Sequence, residues 1–500
     1  MSPLMKKIRL SGIIVFSSMM LLSSVKAQDT IQYSLKLEDV VSLAIEQSYD
    51  VKYAQNQGVN SYWRYKNYKT ENLPKLVLSG TLPNFVQSNE AVTQPDGSTL
   101  FRPVYSLATS TRLSLNQTIP LTGTYLSAST SAFRVEDFNK KTVDYSGSPL
   151  SFGIYQPIFA INWLKWQKMT EPLIYEEAQK NFIETIEEIS LNSVYRFFRY
   201  LLVQTNYNLA ESNLKNSTNN LKIAQTKKDI GSISENNYAR NELAVLNAQK
   251  ALNKARMDLK NADFELKSYI GLPLDKKIDL QMPLDINLFE IDRDIALAEA
   301  RANRKEGSEY KRRLIDAERN LVSAKRSTGL SATLQATYGL SNNAESFEGI
   351  YKETERQQTL SLGLSIPILD WGQSASAVKM AESRRDLVTY DVEKDRTDFE
   401  RSVVVQVEQF SLLKDQLITT QEADKVAANG YLIALKLFQN GEINITDLNI
   451  ALSERDNGKR DYIYSLQTYW EAYYKLRILT LYDFEKNHKI GYVNPLLLKQ

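Results

Sequence analysis

The chain has 500 residues, with 61 lysines and arginines against 59 acidic residues, one histidine and no cysteine. The charge balance carries no nucleic-acid footprint and no polybasic membrane patch. The missing thiols exclude a disulfide framework, a thiolate nucleophile, a cysteine zinc site and a lipoprotein anchor.

Residues 1–27 predict a signal peptide. Lys6, Lys7 and Arg9 precede an apolar run over 10–22, and Val25-Lys26-Ala27 forms a small-x-small cleavage site before Gln28. That thirteen-residue run falls short of the ~20 that span a bilayer as a helix, and no later window approaches that length. An exported chain without a helical anchor is a soluble periplasmic or secreted protein, or an outer-membrane β-barrel.

A short opening helix, LEDVVSLAIEQSYDV, starts the mature chain. Alternating runs bounded by Gly, Pro and Asp then predict strands near 75–86, 109–119, 122–135 and 149–158, and again near 330–340 and 358–368. Segments 162–230 and 371–440 read helical, with apolar stripes through Leu191, Val194, Phe198, Leu201 and Leu209, and through Val403, Val407, Phe410, Leu413 and Leu417. Each of these rods would reach ~100 Å at 1.5 Å per residue, too long for a compact domain. Segments 234–270 and 445–482 run helical again. Between them, Gly231 and Gly441 are expected to end the long helices in left-handed caps and let the chain return antiparallel.

The pattern repeats. Gly153, Pro157, Gly231 and Ile233 lie 210 residues before Gly363, Pro367, Gly441 and Ile443, and each proline stands 74 residues before its glycine. Upstream, Leu78 aligns with Leu334 at an offset of 256, so the first half carries about 46 extra residues. The expected organisation is a first repeat over 28–285 with a strand-containing insertion near 86–148, a second repeat over 286–485, and a tail over 486–500. Within the insertion, TRLSLNQTIPLTG repeats the strand-and-proline motif, with Pro120 on Pro367.

Taken in order, the junctions YQPIFAINWLKW and LSIPILDWGQ, the turns DIGSISENNYARNEL and NGEINITDLNIAL, and the opening helix resemble the TolC family of outer-membrane efflux channels. The resemblance covers essentially the whole mature chain, Leu35 to about Tyr482. It implies a fold that is mainly α with a β-barrel part: duplicated long antiparallel helical hairpins forming an α-barrel tunnel, plus strands contributed to a shared trimeric transmembrane barrel. It implies passive conduction from a periplasmic adaptor (membrane fusion protein) and an inner-membrane pump to the outside, across outer-membrane lipid. No nucleic acid, cofactor or metal enters that picture.

Adaptor docking transfers to Gly231, Ser232, Ile233 and Ser234, and to Gly441, Glu442, Ile443 and Asn444, with an exposed isoleucine expected at each tip. Family members ring the periplasmic entrance with acids six and nine positions past the second tip glycine. Here those positions hold Asp447 and Ile450, and Asn237 is the sixth position after the first glycine. Phe438 and Ile443 replace the tyrosine and arginine of an entrance latch, which speaks against that latch and against a double acidic ring. Asp447 equally suits a helix start favoured by the dipole.

Two questions stay open at this level. If the strands flanking PLTG enter the wall, a trimer has eighteen strands in place of the family's usual twelve; otherwise they form an extracellular flap. The rival class is a periplasmic coiled-coil adaptor or tether without a pore, which needs no alternating strands. An enzyme is not expected: a histidine-dependent triad would rest on His488 near the C-terminus, and the P-loop and dinucleotide glycine motifs are absent.

Overall fold

A computed structural model of the chain describes residues 32–283 and 286–498. The expected signal peptide lies outside the described residues. In chain order come β1 (Gln32–Leu35), α1 (Leu37–Gln47), α2 (Tyr49–Glu71), β2 (Lys75–Thr93), β3 (Thr99–Thr118), β4 (Tyr125–Asp137) and β5 (Thr142–Ile158). They are followed by α3 (Trp163–Asp229), α4 (Glu235–Ile270), β6 (Lys277–Leu280), α5 (Arg293–Asn303), α6 (Glu306–Ser327), β7 (Ser331–Ala344) and, after a single 3₁₀ turn, β8 (Glu355–Ser365). The chain ends with α7 (Gln373–Asn440), α8 (Ile445–Thr480), β9 (Tyr482–Asp483) and β10 (His488–Lys489).

Two rods dominate. α3 has 67 residues and α7 has 68, and each folds back into a 36-residue partner, α4 or α8. Contacts run α4 to α3, α3 to α8 and α8 to α7, so the four helices form one layer with α4 and α7 on its flanks. Val194, Phe198 and Leu201 are buried, as are Val403, Val407, Phe410 and Leu417. The three-and-four spacing therefore marks the core-facing sides of α3 and α7, with α8 in contact with both; Phe410 of α7 packs on Tyr469 and Tyr473 of α8. α8 completes the core with Tyr462, Ile463, Leu466, Tyr469, Tyr473 and Leu476. These tyrosines pack among helices, whereas Tyr464 on the same helix is exposed.

The middle of the layer is wrapped by α1, the parallel pair β1–β6, α5 and the tail. A buried ionic network pins it. Glu187 of α3 is fully buried and accepts from Arg477 Nε at 2.7 Å, Arg477 Nη2 at 2.9 Å and the Tyr492 hydroxyl at 2.6 Å. Arg477 also pairs with Asp483 at 2.8 Å. The tail therefore docks on the first half of the chain, and Asn494 Nδ2 reaches the Gln55 carbonyl of α2.

Six long strands form one antiparallel sheet in the order β2-β3-β4-β5-β7-β8. All four expected strands of the first half are present, and β2 and β3 are longer than the alternation suggested, running to Thr93 and from Thr99. Beyond Ser106 the β2–β3 ladder continues alone, as a two-stranded hairpin projecting past the sheet. Its sequence there carries Glu90, Arg102 and Pro103 among exposed Leu100 and Phe101, without a clean alternation, so it reads as a loop although the main-chain ladder holds. No helix among the described residues is long and apolar enough to cross a membrane.

Candidate functional site: the helix tips and the sheet

The turn after α3 is closed by Gly231 at φ +70°, and the turn after α7 by Gly441 at φ +84°. Both values are left-handed, where a side chain would be strained and glycine is not. The two turns cap the returning helices differently. Ser234 Oγ accepts from the Asn237 N–H at 3.3 Å. Asn444 Oδ1 accepts from the Thr446 N–H at 2.8 Å and the Asp447 N–H at 3.1 Å, and the Asp447 carboxylate accepts in return from the Asn444 N–H at 3.4 Å. That reciprocal pair is a capping box.

The tips sit side by side, with Arg240 of α4 reaching Thr446 of α8 at 3.5 Å. Lys228 binds Glu235 across the first turn at 2.8 Å, and this bond raises the Lys228 pKa above its ordinary value. Ser232, Glu442, Asn237, Asp447 and Ile450 are exposed. Ile233 and Ile443 are half-buried instead of exposed. The apolar residue the first tip does expose is Ile230, at 74%. Its position beside the glycine was the available signal, and sequence reasoning missed it. At the second tip Phe438 packs onto a small cluster of Tyr431, Ile445 and Leu448.

The flank helices carry a second feature. α7 leaves Val405, Leu412, Val426 and Ile433, at multiples of seven, exposed among the described residues. On the other flank, α4 exposes Leu243, Met257 and Phe264, again at multiples of seven. Heptad-spaced apolar rows are coiled-coil seams, and here each lacks its partner.

The sheet has two chemically distinct faces. Opposed residues share a face, so one row of side chains runs Leu76, Leu115, Ala128, Phe152, Tyr338 across five strands. The next row along that face includes Leu126, Ile154, Ala336 and Leu360. On the reverse face the rows read Asn116, Ser127, Gly153, Thr337, Thr359 and Val77, Ser114, Ser129, Ser151, Gly339, Gln357. A shallow depression lined by Ser79, Ser131, Ser148 and Ser151 lies on this polar side. At the helical end of the sheet Trp371 is 90% exposed and Trp163 half exposed, while Trp166 is partly buried.

Residues 296–477 match the family model described as outer membrane efflux protein. Over nearly its whole length the chain resembles the solved CmeC outer membrane channel of Campylobacter jejuni, at 14% identity and a TM-score of 0.64, covering 93% of this chain and 88% of that one. It also resembles the outer membrane protein VceC of Vibrio cholerae (12%, TM-score 0.56, 89% and 95% covered). A third similar fold is the open state of the Neisseria gonorrhoeae MtrE outer membrane channel (13%, TM-score 0.59, 89% and 88%). No curated protein matches the chain by sequence.

Proposed function

We propose, for a chain that is an outer membrane efflux protein in domain and in fold, that three copies close into one duct. The protein resides in the outer membrane, extends into the periplasm and serves as an exit channel of an efflux system. The observation that carries the trimer is that one chain is open at both flanks and at both levels. α4 and α7 present unpartnered heptad seams, and β2 and β8 present unpaired strand edges. Open edges are not tolerated in lipid, and α4 of one copy against α7 of the next would continue the layer. A pore-free tether would have no use for a sheet with one apolar and one hydroxyl-lined face.

In this reading the apolar face meets lipid, the Ser/Thr face meets water, and Trp163 and Trp371 lie at the periplasmic membrane interface. Residues 28–285 and 286–485 act as two repeats, each supplying one hairpin to the tunnel wall. The duct performs no catalysis; an inner-membrane pump supplies the energy and a periplasmic adaptor docks on the tips. Gly231 to Ser234 and Gly441 to Asn444, with Ile230 added, form the docking surface.

Light scattering in detergent should report a trimer, and a stable monomer would overturn the reading. Cysteines at Ser232 and Asn444, in a chain with no others, should crosslink to the cognate adaptor in cells. Asp447 would bring three carboxylates to the entrance, where a focused field attracts cations. Millimolar divalent cations on the periplasmic side should then block conductance in planar bilayers, and Asp447→Asn should relieve the block. If block is unchanged, Asp447 serves only in the capping box with Asn444 at the start of α8.

A further inference from the structure

We infer that the trimer's membrane wall is an eighteen-stranded barrel, with the β3–β4 hairpin as full members of the wall. The inference rests on the trimeric-channel reading above.

Three independent features of the sheet carry it. First, the ladder is continuous: β3 is paired on both sides, with β2 and with β4, and β4 on both sides, with β3 and with β5. A flap would leave β2 and β5 to pair with each other; here the hairpin stands between them. Second, over the half of the sheet next to the helices the two faces keep their character on crossing the hairpin, whereas farther out the apolar face turns polar at Thr109, Thr111, Thr130 and Arg134. Leu113, Leu115, Leu126 and Ala128 continue the apolar face, and Ser114, Ser127, Ser129 and Ser131 continue the hydroxyl face. A water-exposed flap has no reason to match that division strand for strand. Gly153 shows how tight the fit is, since a Cβ there would come within 2.5 Å of Ser127 Oγ on the adjacent strand β4.

Third, the hairpin turn is tied to the helical end of the sheet. Asn162, the cap residue of α3, donates from Nδ2 to the Pro120 carbonyl at 2.8 Å and the Leu121 carbonyl at 3.1 Å. Gln156 Nε2 reaches the Thr122 carbonyl at 3.3 Å. An extracellular flap would turn at the opposite end. The 13 residues of β4 exceed the ~10 that cross an outer membrane at a barrel's tilt.

The consequence is width. With strands ~4.8 Å apart and tilted ~40°, eighteen strands give a barrel about 36 Å across at the backbone, against about 24 Å for twelve. The lumen wall contributed by the hairpin is mostly neutral hydroxyl, with Arg112 between Ser79 and Ser131 as its one strongly charged side chain near the middle of the strand.

Single cysteines at Ser127 and Ala128 test the assignment in isolated outer membranes. A water-soluble maleimide should label Ser127→Cys at least about tenfold faster than Ala128→Cys, because only the former faces water. Equal labelling of both would overturn the inference. Paired cysteines at Val77 and Ser114, and at Ser129 and Ser151, should each form an intramolecular disulfide on oxidation, and failure of both would place the hairpin outside the wall. A density map of the detergent-solubilised trimer then counts strands directly. Twelve strands in a conducting trimer would sink this inference alone, whereas a particle with no closed barrel would sink the channel reading beneath it.

Discussion

The helical and strand portions of the two halves are built to different tolerances. α3 and α7 differ by one residue and α4 and α8 by none, yet the first half contributes four long strands to the sheet and the second contributes two. A helix that must end in a common plane with its neighbours has little freedom. Each added residue shifts its tip by ~1.5 Å and turns its seam by ~100°. A hairpin added inside a sheet keeps every ladder bond and both faces, and changes only the circumference. The tip therefore fixes the helices, and nothing comparable fixes the number of strands.

Breaking the equality of the rods should have the largest effect. Deleting one heptad from α7 alone preserves its seams but withdraws Gly441 from the plane of Gly231 by ~10 Å. Adaptor crosslinking from cysteines at Ser232 and Asn444 should fall to background, while a deletion of one heptad from all four helices should restore it. Retained crosslinking in the single deletion would show that the tips need not be level.

The halves are also joined by charge, and that joint can be cut without touching either end. Glu187 on α3 is fully buried and holds Arg477 on α8 and Tyr492 in the tail. Glu187→Gln leaves Arg477 undercompensated and should cost about 3–5 kcal/mol. The measurement is thermal or urea unfolding of the detergent-solubilised protein, with a change under 1 kcal/mol counting against it.

Acid should loosen the same joint. Burial pushes the Asp483 carboxyl up, but hydrogen bonds from the Tyr473 hydroxyl and the Lys486 N–H, with Arg477 beside it, outweigh burial and leave its pKa below the ordinary carboxylate value. A depressed folded pKa gives stability that is present above the unfolded value, near pH 4, and is lost as pH falls through the folded value. Asp483→Asn should destabilise at pH 7 and flatten the acid limb below about pH 4. An unchanged acid limb would assign it to other carboxylates.

Much of this was legible in the sequence, and the exceptions have physical reasons. The helix ends were readable because a left-handed turn needs glycine, and Gly231 and Gly441 mark both. Periodicity revealed the stripe through Val403, Val407 and Phe410, which one chain buries. The row Val405, Leu412, Val426, Ile433 interleaves with it, and one sequence cannot say which row meets its own chain. Glu187 and Arg477 are 290 residues apart, and no local pattern pairs them. The outer parts of β2 and β3 gave no alternation, because each face mixes polar and apolar residues, Asn89 with Phe101 on one and Glu90 with Leu100 on the other. Ile233 was expected to be exposed by its place in a turn, and it is half-buried.

The smallest expected effect separates the two tips themselves. Both returning helices begin at a capping side chain, but Ser234 satisfies one backbone N–H and Asn444 satisfies two. Asn444 also anchors the reciprocal bond from Asp447, which has no counterpart where Asn237 stands. Losing a cap costs typically ~1 kcal/mol, with ~2 at the upper end. Asn444→Ala should therefore fray the first turn of α8 by about 1–2 kcal/mol, and Ser234→Ala the first turn of α4 by about 0.5–1 kcal/mol. Hydrogen exchange of the amides at 446–448 and 236–238 reads each turn locally, without unfolding the rods. Equal loss of protection at the two tips would mean that the capping box adds nothing beyond a single side-chain cap. A greater loss at the second tip would show why Asp447 can have a structural role even when the entrance field is removed.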